Sequence, residues 1–202
     1  MEKTKKTAFW EAVLIGAKLL LICAVVAGVV SFVYALTEET YQKKQAETER
    51  LALEEIFGVK GLQSTALTVT DEYRAKNGIE ETVYRVSDAD GNVIGYYVQV
   101  KGTGFGGDVN LTVGFNKSCE VLGVKILDPF SETPGLGAKV KESAFLDQYN
   151  GKTEGLTLGK NGSGDVDAIA GATISSTAVT DGVNRAIYVL PLVLSENGGA
   201  VR

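Results

Sequence analysis

Residues 19–36 (LLLICAVVAGVVSFVYAL) form an eighteen-residue run without a single charged side chain. A run of that length and polarity reaches the lower limit of what crosses a bilayer as one helix. Residues 12–17 lengthen it if Lys18 carries its ammonium out to the headgroups. The flanks orient it. Residues 1–36 hold Lys3, Lys5, Lys6 and Lys18 against Glu2 and Glu11, a net +2, whereas the whole chain is −5 and the part beyond residue 36 is therefore −7. Basic flanks stay cytoplasmic, so the expected order is a cytoplasmic segment 1–11, a transmembrane helix 12–36, and the rest outside. A cleaved signal peptide is the alternative, since Val33-Tyr34-Ala35 loosely fits a small-residue cleavage site.

Residue types beyond the span exclude whole classes of chemistry. The chain has no histidine and two cysteines, Cys23 in the span and Cys119 beyond it. Zinc, haem and iron–sulfur centres need more Cys or His ligands than this, and a Ser-His-Asp or Cys-His unit is impossible. The whole chain has a pI near 4.9, and its outer part, at −7, lacks the basic face that nucleic acid requires.

Local patterns predict an α+β domain. Residues 37–57 read as a helical stalk opened by a cap-like Thr37 and ended by Gly58. Residues 81–100 form a hairpin around 88–92 (DADGN), and a second hairpin pairs 109–115 with 121–127. Residues 138–149 look helical, with Val140, Ala144, Phe145 and Tyr149 on one face. A last helix runs from about Ile174 to Leu190, where Pro191 is expected to stop it. Antiparallel hairpins interrupted by helices place the domain, 58–202, outside the βαβ class.

Three glycine-bearing segments invite a ligand. Gly102-Thr103-Gly104-Phe105-Gly106-Gly107 has the GxGxxG spacing, but a strand-like segment follows where a dinucleotide fingerprint needs a helix, so it reads as a turn between strands. Gly151-Lys152-Thr153 lacks the rest of a P-loop, because Leu146 stands where its first glycine belongs. In 167–177 (DAIAGATISST) small residues lead into a hydroxyl-rich helix start. Exposed N–H groups there would bind an anion; ordinary Ser/Thr capping is the alternative reading.

Asp167-x-x-Ala170-Gly171-Ala172-Thr173 resembles the D-x-x-[ST]-G-A-T sequence at which a flavin transferase esterifies FMN to the final threonine. It occurs in the G subunit of the Rnf electron-transport complex and in the C subunit of the sodium-pumping NADH:quinone reductase. Ala170 departs from the pattern, standing where Ser or Thr is common. Upstream, Ser131-Glu132-Thr133-Pro134-Gly135-Leu136-Gly137 resembles the E-T-P-G-L-G loop that lies against the flavin in the same proteins. Its Pro-Gly pair is also a turn signal in its own right.

The resemblance implies one FMN held as a phosphoester on Thr173. Glu132, Thr133, Gly135, Leu136, Gly137, Lys139, Gly171, Ala172 and Ser175 would lie about the cofactor, and Asp167, Gly171, Ala172 and Thr173 would be read by the transferase. Lys139 would raise the flavin potential as a nearby cation. No independent catalytic residue and no metal are implied. The partners would be the transferase, the membrane and the other subunits of an Rnf-type ferredoxin:NAD oxidoreductase complex coupled to ion translocation. The quinone-reductase C subunit is the second possibility within the family, and a cofactor-free extracytoplasmic adaptor the one outside it.

Overall fold

The computed structural model describes residues 2–127 and 130–198, so residues 128, 129 and 199–202 of the expected domain lie outside the described residues. Contacts divide the chain into two compact units, Met1–Glu47 and Thr48–Arg202. Helix α1 (Glu2–Phe57) covers the described residues of the first unit, and its residues from Thr48 on belong to the second. Thr37 does not open a new helix. Its hydroxyl donates to the Val33 carbonyl, 2.7 Å away, the back-bond that lets a threonine sit inside a helix. Residues 14–36 of α1 are exposed throughout, and this helix is long and apolar enough to cross a membrane.

The second unit is α+β, as the hairpin pattern implies. It contains β1 (Gln63–Ala66), α2 (Asp71–Asn77), β2 (Thr82–Ser87), β3 (Val93–Thr103), β4 (Asp108–Asn116), β5 (Val121–Leu127), α3 (Ser143–Leu146), β6 (Leu158–Gly159), β7 (Val166–Asp167) and α4 (Thr173–Glu196). Five strands form one antiparallel sheet in sequence order, β1 to β5, while β6 and β7 make a small parallel pair. Both expected hairpins are present: Val98 lies opposite Val83 and Val113 opposite Val124.

Alternation along the strands gives the sheet two covered faces. Val98, Val100, Val109, Leu111 and Val113 pack with Val179, Val183, Ala186 and Leu190 of α4 in the main core. On the other face Leu53, from the end of α1, packs with Val86 and Tyr97, and Phe57 joins them. Tyr97 donates to Glu49 at 3.1 Å, and Gln99 donates to the same carboxylate oxygen at 2.8 Å. The Tyr97 ring stacks on Tyr84 with centroids 4.5 Å apart, and burial pushes its phenol pKa up.

Helix α4 lies unusually close to the sheet. A side chain at Gly102 would run into the Ala178 carbonyl, and one at Gly182 into the Leu111 side chain. The helix also continues past Pro191. Proline removes one hydrogen bond and crowds the preceding turn, but Leu190, Val193 and Leu194 are all buried in the core, and their burial holds the last turn in place. The expected helix over 138–149 is instead broken into a 3-10 turn Gly137–Lys141, α3, and a second 3-10 turn Asp147–Tyr149. Val140, Phe145 and Tyr149 are nevertheless buried together.

Arg185 of α4 donates to Glu81 through Nε at 2.6 Å and Nη2 at 3.0 Å, and also reaches the Gly78 carbonyl. Burial works against the Glu81 charge, yet the hydrogen bonds from Arg185 hold its carboxyl below the usual carboxylate range.

Two outcomes are expected from this packing. Gly102→Ala should lower unfolding stability by about 1–3 kcal/mol, the usual range for overpacking, as read by chemical denaturation of the Thr48–Arg202 part within the whole protein. A carboxyl whose folded pKa is depressed stabilises the fold above its unfolded pKa and loses that contribution as pH falls through the folded value. Glu81→Gln should therefore cost about 1–2 kcal/mol at neutral pH, and the difference from wild type should vanish in acid. A constant difference across the acid range would show that the ion pair is not its source.

Candidate functional site

The N-terminus of α4 opens onto a cavity of about 330 Å3, lined by Phe105, by Glu132, Thr133, Leu136 and Gly137, and by residues 171–175. Cavities that take small ligands start near 300 Å3. Its walls come from three segments distant in sequence: the β3–β4 turn, the loop after β5, and the start of α4.

The loop after β5 is built by its turn chemistry. The Leu136 amide donates to the Thr133 carbonyl at 3.2 Å, with Pro134 and Gly135 at the corner and Gly135 at φ 76°. Glycine adopts that left-handed conformation without steric cost, as a type II turn demands. The Ala138 amide reaches the same carbonyl at 3.1 Å. The turn leaves Leu136 43% exposed at the cavity.

Glu132 is the polar centre. Only 7% exposed, it accepts the Phe105 amide at 2.7 Å and the Gly106 amide at 3.3 Å on Oε1, and the Ser175 hydroxyl at 2.8 Å on Oε2. Backbone amides can only donate, so this set of partners suits a carboxylate. One side chain thus ties all three walls together.

The helix start has an unusual cap. Ala172, at the cap position, has no side-chain oxygen and makes no cap hydrogen bond. The neighbouring hydroxyls are engaged elsewhere: Ser175 with Glu132, and Ser176 as acceptor of the Ile169 amide at 3.1 Å. The first intrahelical bond recorded at this end runs from the Ser176 amide to the Ala172 carbonyl at 2.9 Å. The Ser/Thr-capping alternative therefore does not describe these two serines. First-turn amides without a side-chain cap are the groups that hold an anion at a helix N-terminus. Thr173 is the first helical residue and is exposed at the cavity. Gly171 turns the chain into it at φ 80°, and any side chain there would press on Leu136.

Most of the residues singled out by sequence meet here, and three stand apart. Gly135 forms the corner of the turn, outside the cavity lining. Lys139 is exposed on the 3-10 turn Gly137–Lys141 and does not line the cavity either. Asp167 ends β7, where its carboxylate accepts the Gly162 amide at 2.7 Å and its own amide donates to Gln148 Oε1 at 2.7 Å. Two lining residues, Phe105 and Ile174, are not among the site residues expected from the sequence, which places Ile174 only as the start of the last helix. For Phe105 a signal existed: an aromatic side chain enclosed by glycines, in a turn with no core to bury it.

The class of domain is defined by a family described as FMN-binding domain, which matches residues 104–188. That stretch holds the β3–β4 turn, the Pro-Gly loop and the start of α4. The G subunit of the Na(+)-translocating ferredoxin:NAD(+) oxidoreductase complex of Acetobacterium woodii is 32% identical, over 93% of this chain and 96% of its own. The G subunit of the ion-translocating oxidoreductase complex of Methanosarcina acetivorans is 33% identical, over 84% of this chain and 89% of its own. The crystal structure of the C subunit of the Na(+)-translocating NADH-quinone reductase from Parabacteroides distasonis shares the fold, with a TM-score of 0.50 at 21% identity over 68% of this chain and 78% of that one. The chain belongs to the family of G subunits of ion-translocating oxidoreductase complexes.

Proposed function

We propose that the protein is an electron-carrying flavoprotein subunit of a membrane-bound, ion-translocating ferredoxin:NAD oxidoreductase complex of the Rnf type, with FMN esterified through its phosphate to Thr173. The observation that carries this reading is the position of Thr173: an exposed hydroxyl on the first residue of α4, at the mouth of a largely apolar cavity, beside a helix N-terminus with no side-chain cap. The dipole and amides of that first turn favour a phosphate diester. Leu136, Phe105 and Ile174 offer apolar surface to a planar ring. A cofactor-free adaptor would have no use for this combination.

In this reading the redox chemistry belongs to the flavin, while the chain fixes its position and shields it. The covalent bond prevents loss of FMN from a domain facing away from the cytoplasm, and a transferase acting on Asp167, Gly171, Ala172 and Thr173 would make it. The apolar part of α1 is the anchor, and the basic residues before it keep the N-terminus cytoplasmic. The relatives' own names connect the G subunit to complexes that translocate ions, so the partners are the other subunits.

Two measurements test the reading. Co-expressed with its flavin transferase, the wild-type protein should weigh one FMN, less one water, above its sequence mass. Thr173→Val should lose that increment and the in-gel flavin fluorescence, while Ser175→Ala and Ser176→Ala should keep both. Covalent flavin on Thr173→Val would sink the acceptor assignment, and fragmentation of peptide 161–185 would locate the true site. For topology, Leu62→Cys in a Cys119→Ser background should react with a membrane-impermeant thiol reagent in intact cells or spheroplasts. Labelling only after lysis would reverse the orientation.

A further inference from the structure

The glycine-rich β3–β4 turn has a GxGxxG spacing that fits no nucleotide fingerprint, and nothing in the sheet requires it to carry an aromatic residue. Yet Phe105 at its tip is 70% exposed and faces the cavity at Thr173. Large apolar side chains exposed around one cavity, here Phe105, Leu136 and Ile174, mark a surface awaiting an apolar partner. The turn beneath Phe105 is also held with unusual care. The Gly104 amide closes it on the Gly107 carbonyl at 3.0 Å. Glu132, itself buried, takes the amides of both Phe105 and Gly106. Side chains are excluded at both flanking positions: one at Gly104 would meet the Glu132 carboxylate, and one at Gly106 would meet the Ser131 carbonyl. The turn is thus pressed onto the loop that forms the opposite wall.

We propose that Phe105 is the aromatic wall of the flavin site, stacking on or edging against the isoalloxazine ring, and that Glu132 is the positioning residue that fixes the turn carrying it. This rests on the FMN reading above. Aromatic rings prefer offset-stacked or edge-to-face contact with other π-systems, and a ring in the cavity would cover the Phe105 face that this chain leaves open. Glu132 acts through the backbone of residues 105 and 106, and its second oxygen ties the same turn to α4 through Ser175.

The test uses the full-length holoprotein carrying Phe105→Trp. Position 105 is exposed, so folding should be unaffected. An indole is an electron donor that quenches flavin emission only at contact range. The variant should keep the covalent mass increment and lose flavin fluorescence several-fold relative to wild type, and Phe105→Leu should not. Adding Glu132→Ala to Phe105→Trp should restore most of the emission by freeing the turn. Adding Glu132→Gln should leave it quenched, because the amide oxygen still accepts the two backbone N–H groups. Emission unchanged by Phe105→Trp, with the mass increment present, overturns the Phe105 assignment alone. Quenching that survives Glu132→Ala in a folded protein overturns the positioning role of Glu132. A wild-type chain without the increment overturns the FMN reading and this inference with it.

Discussion

The approach of α4 to the sheet is the contact on which the rest depends. At Gly102 the strand backbone lies against the helix backbone at Ala178, and at Gly182 the helix lies against Leu111. Two glycines facing opposite ways, one from each element, allow a separation that paired side chains would forbid. The core beneath α4 is consequently rich in valine and alanine, small enough for that spacing. The first turn of the helix lies one turn before Ala178, so its position over the cavity follows from the same contact. Wider packing would leave the cavity open on that side.

A second constraint works on top of the first. The cavity walls share no strand or helix, and hydrophobic burial alone does not align three chain segments to within a hydrogen-bond length. The Glu132 carboxylate does so, because each of its bonds ends on a different wall or on the next residue of the same wall. A buried carboxylate is costly unless its lone pairs are filled. Here it has three donors, two of them backbone groups that cannot rotate away. That makes the loops specific about where they sit, a role for buried polar groups distinct from added stability.

The sheet was legible because its strands alternate and its turns carry strong residues: DADGN between β2 and β3, and Asn116-Lys117-Ser118 between β4 and β5, bracket strands that pair as the pattern implies. The short elements were harder. Helix α2 went unread although Thr70 caps it by accepting the Tyr73 amide at 3.3 Å and Gly78 ends it at φ 61°; seven residues offer too little periodicity to announce a helix. Pro191 misled because a local rule met a buried stripe that continues beyond it. Residues 138–149 lost the regular helix and with it Ala144 from the expected face, which is exposed; Val140, Phe145 and Tyr149 need only approximate spacing to reach the same core. At the site, Thr173 and the Pro-Gly loop were marked by residue type. Phe105 carried only the faint local mark of an aromatic among glycines, and the hub role of Glu132 depends on contacts 26 to 43 residues apart, which no local pattern encodes.

The order of strands in the sheet bears on how such a chain acquires its shape. Every pairing from β1 to β5 joins neighbours in sequence. The β2–β3, β3–β4 and β4–β5 hairpins close only short loops, at small entropic cost, while β1 reaches β2 through a connection that contains α2. The lid of the core, α4, comes from far away in sequence: Gly102 meets Ala178, and Glu132 meets Ser175. Short-range contacts form faster than long-range ones. The meander can therefore assemble while one apolar face is still bare, and the cavity comes into being only when the final helix lands. Until then the chain presents an uncovered hydrophobic sheet, a state in which aggregation competes with completion. The cavity, walled on one side by the start of α4, is thus a feature of the finished fold alone.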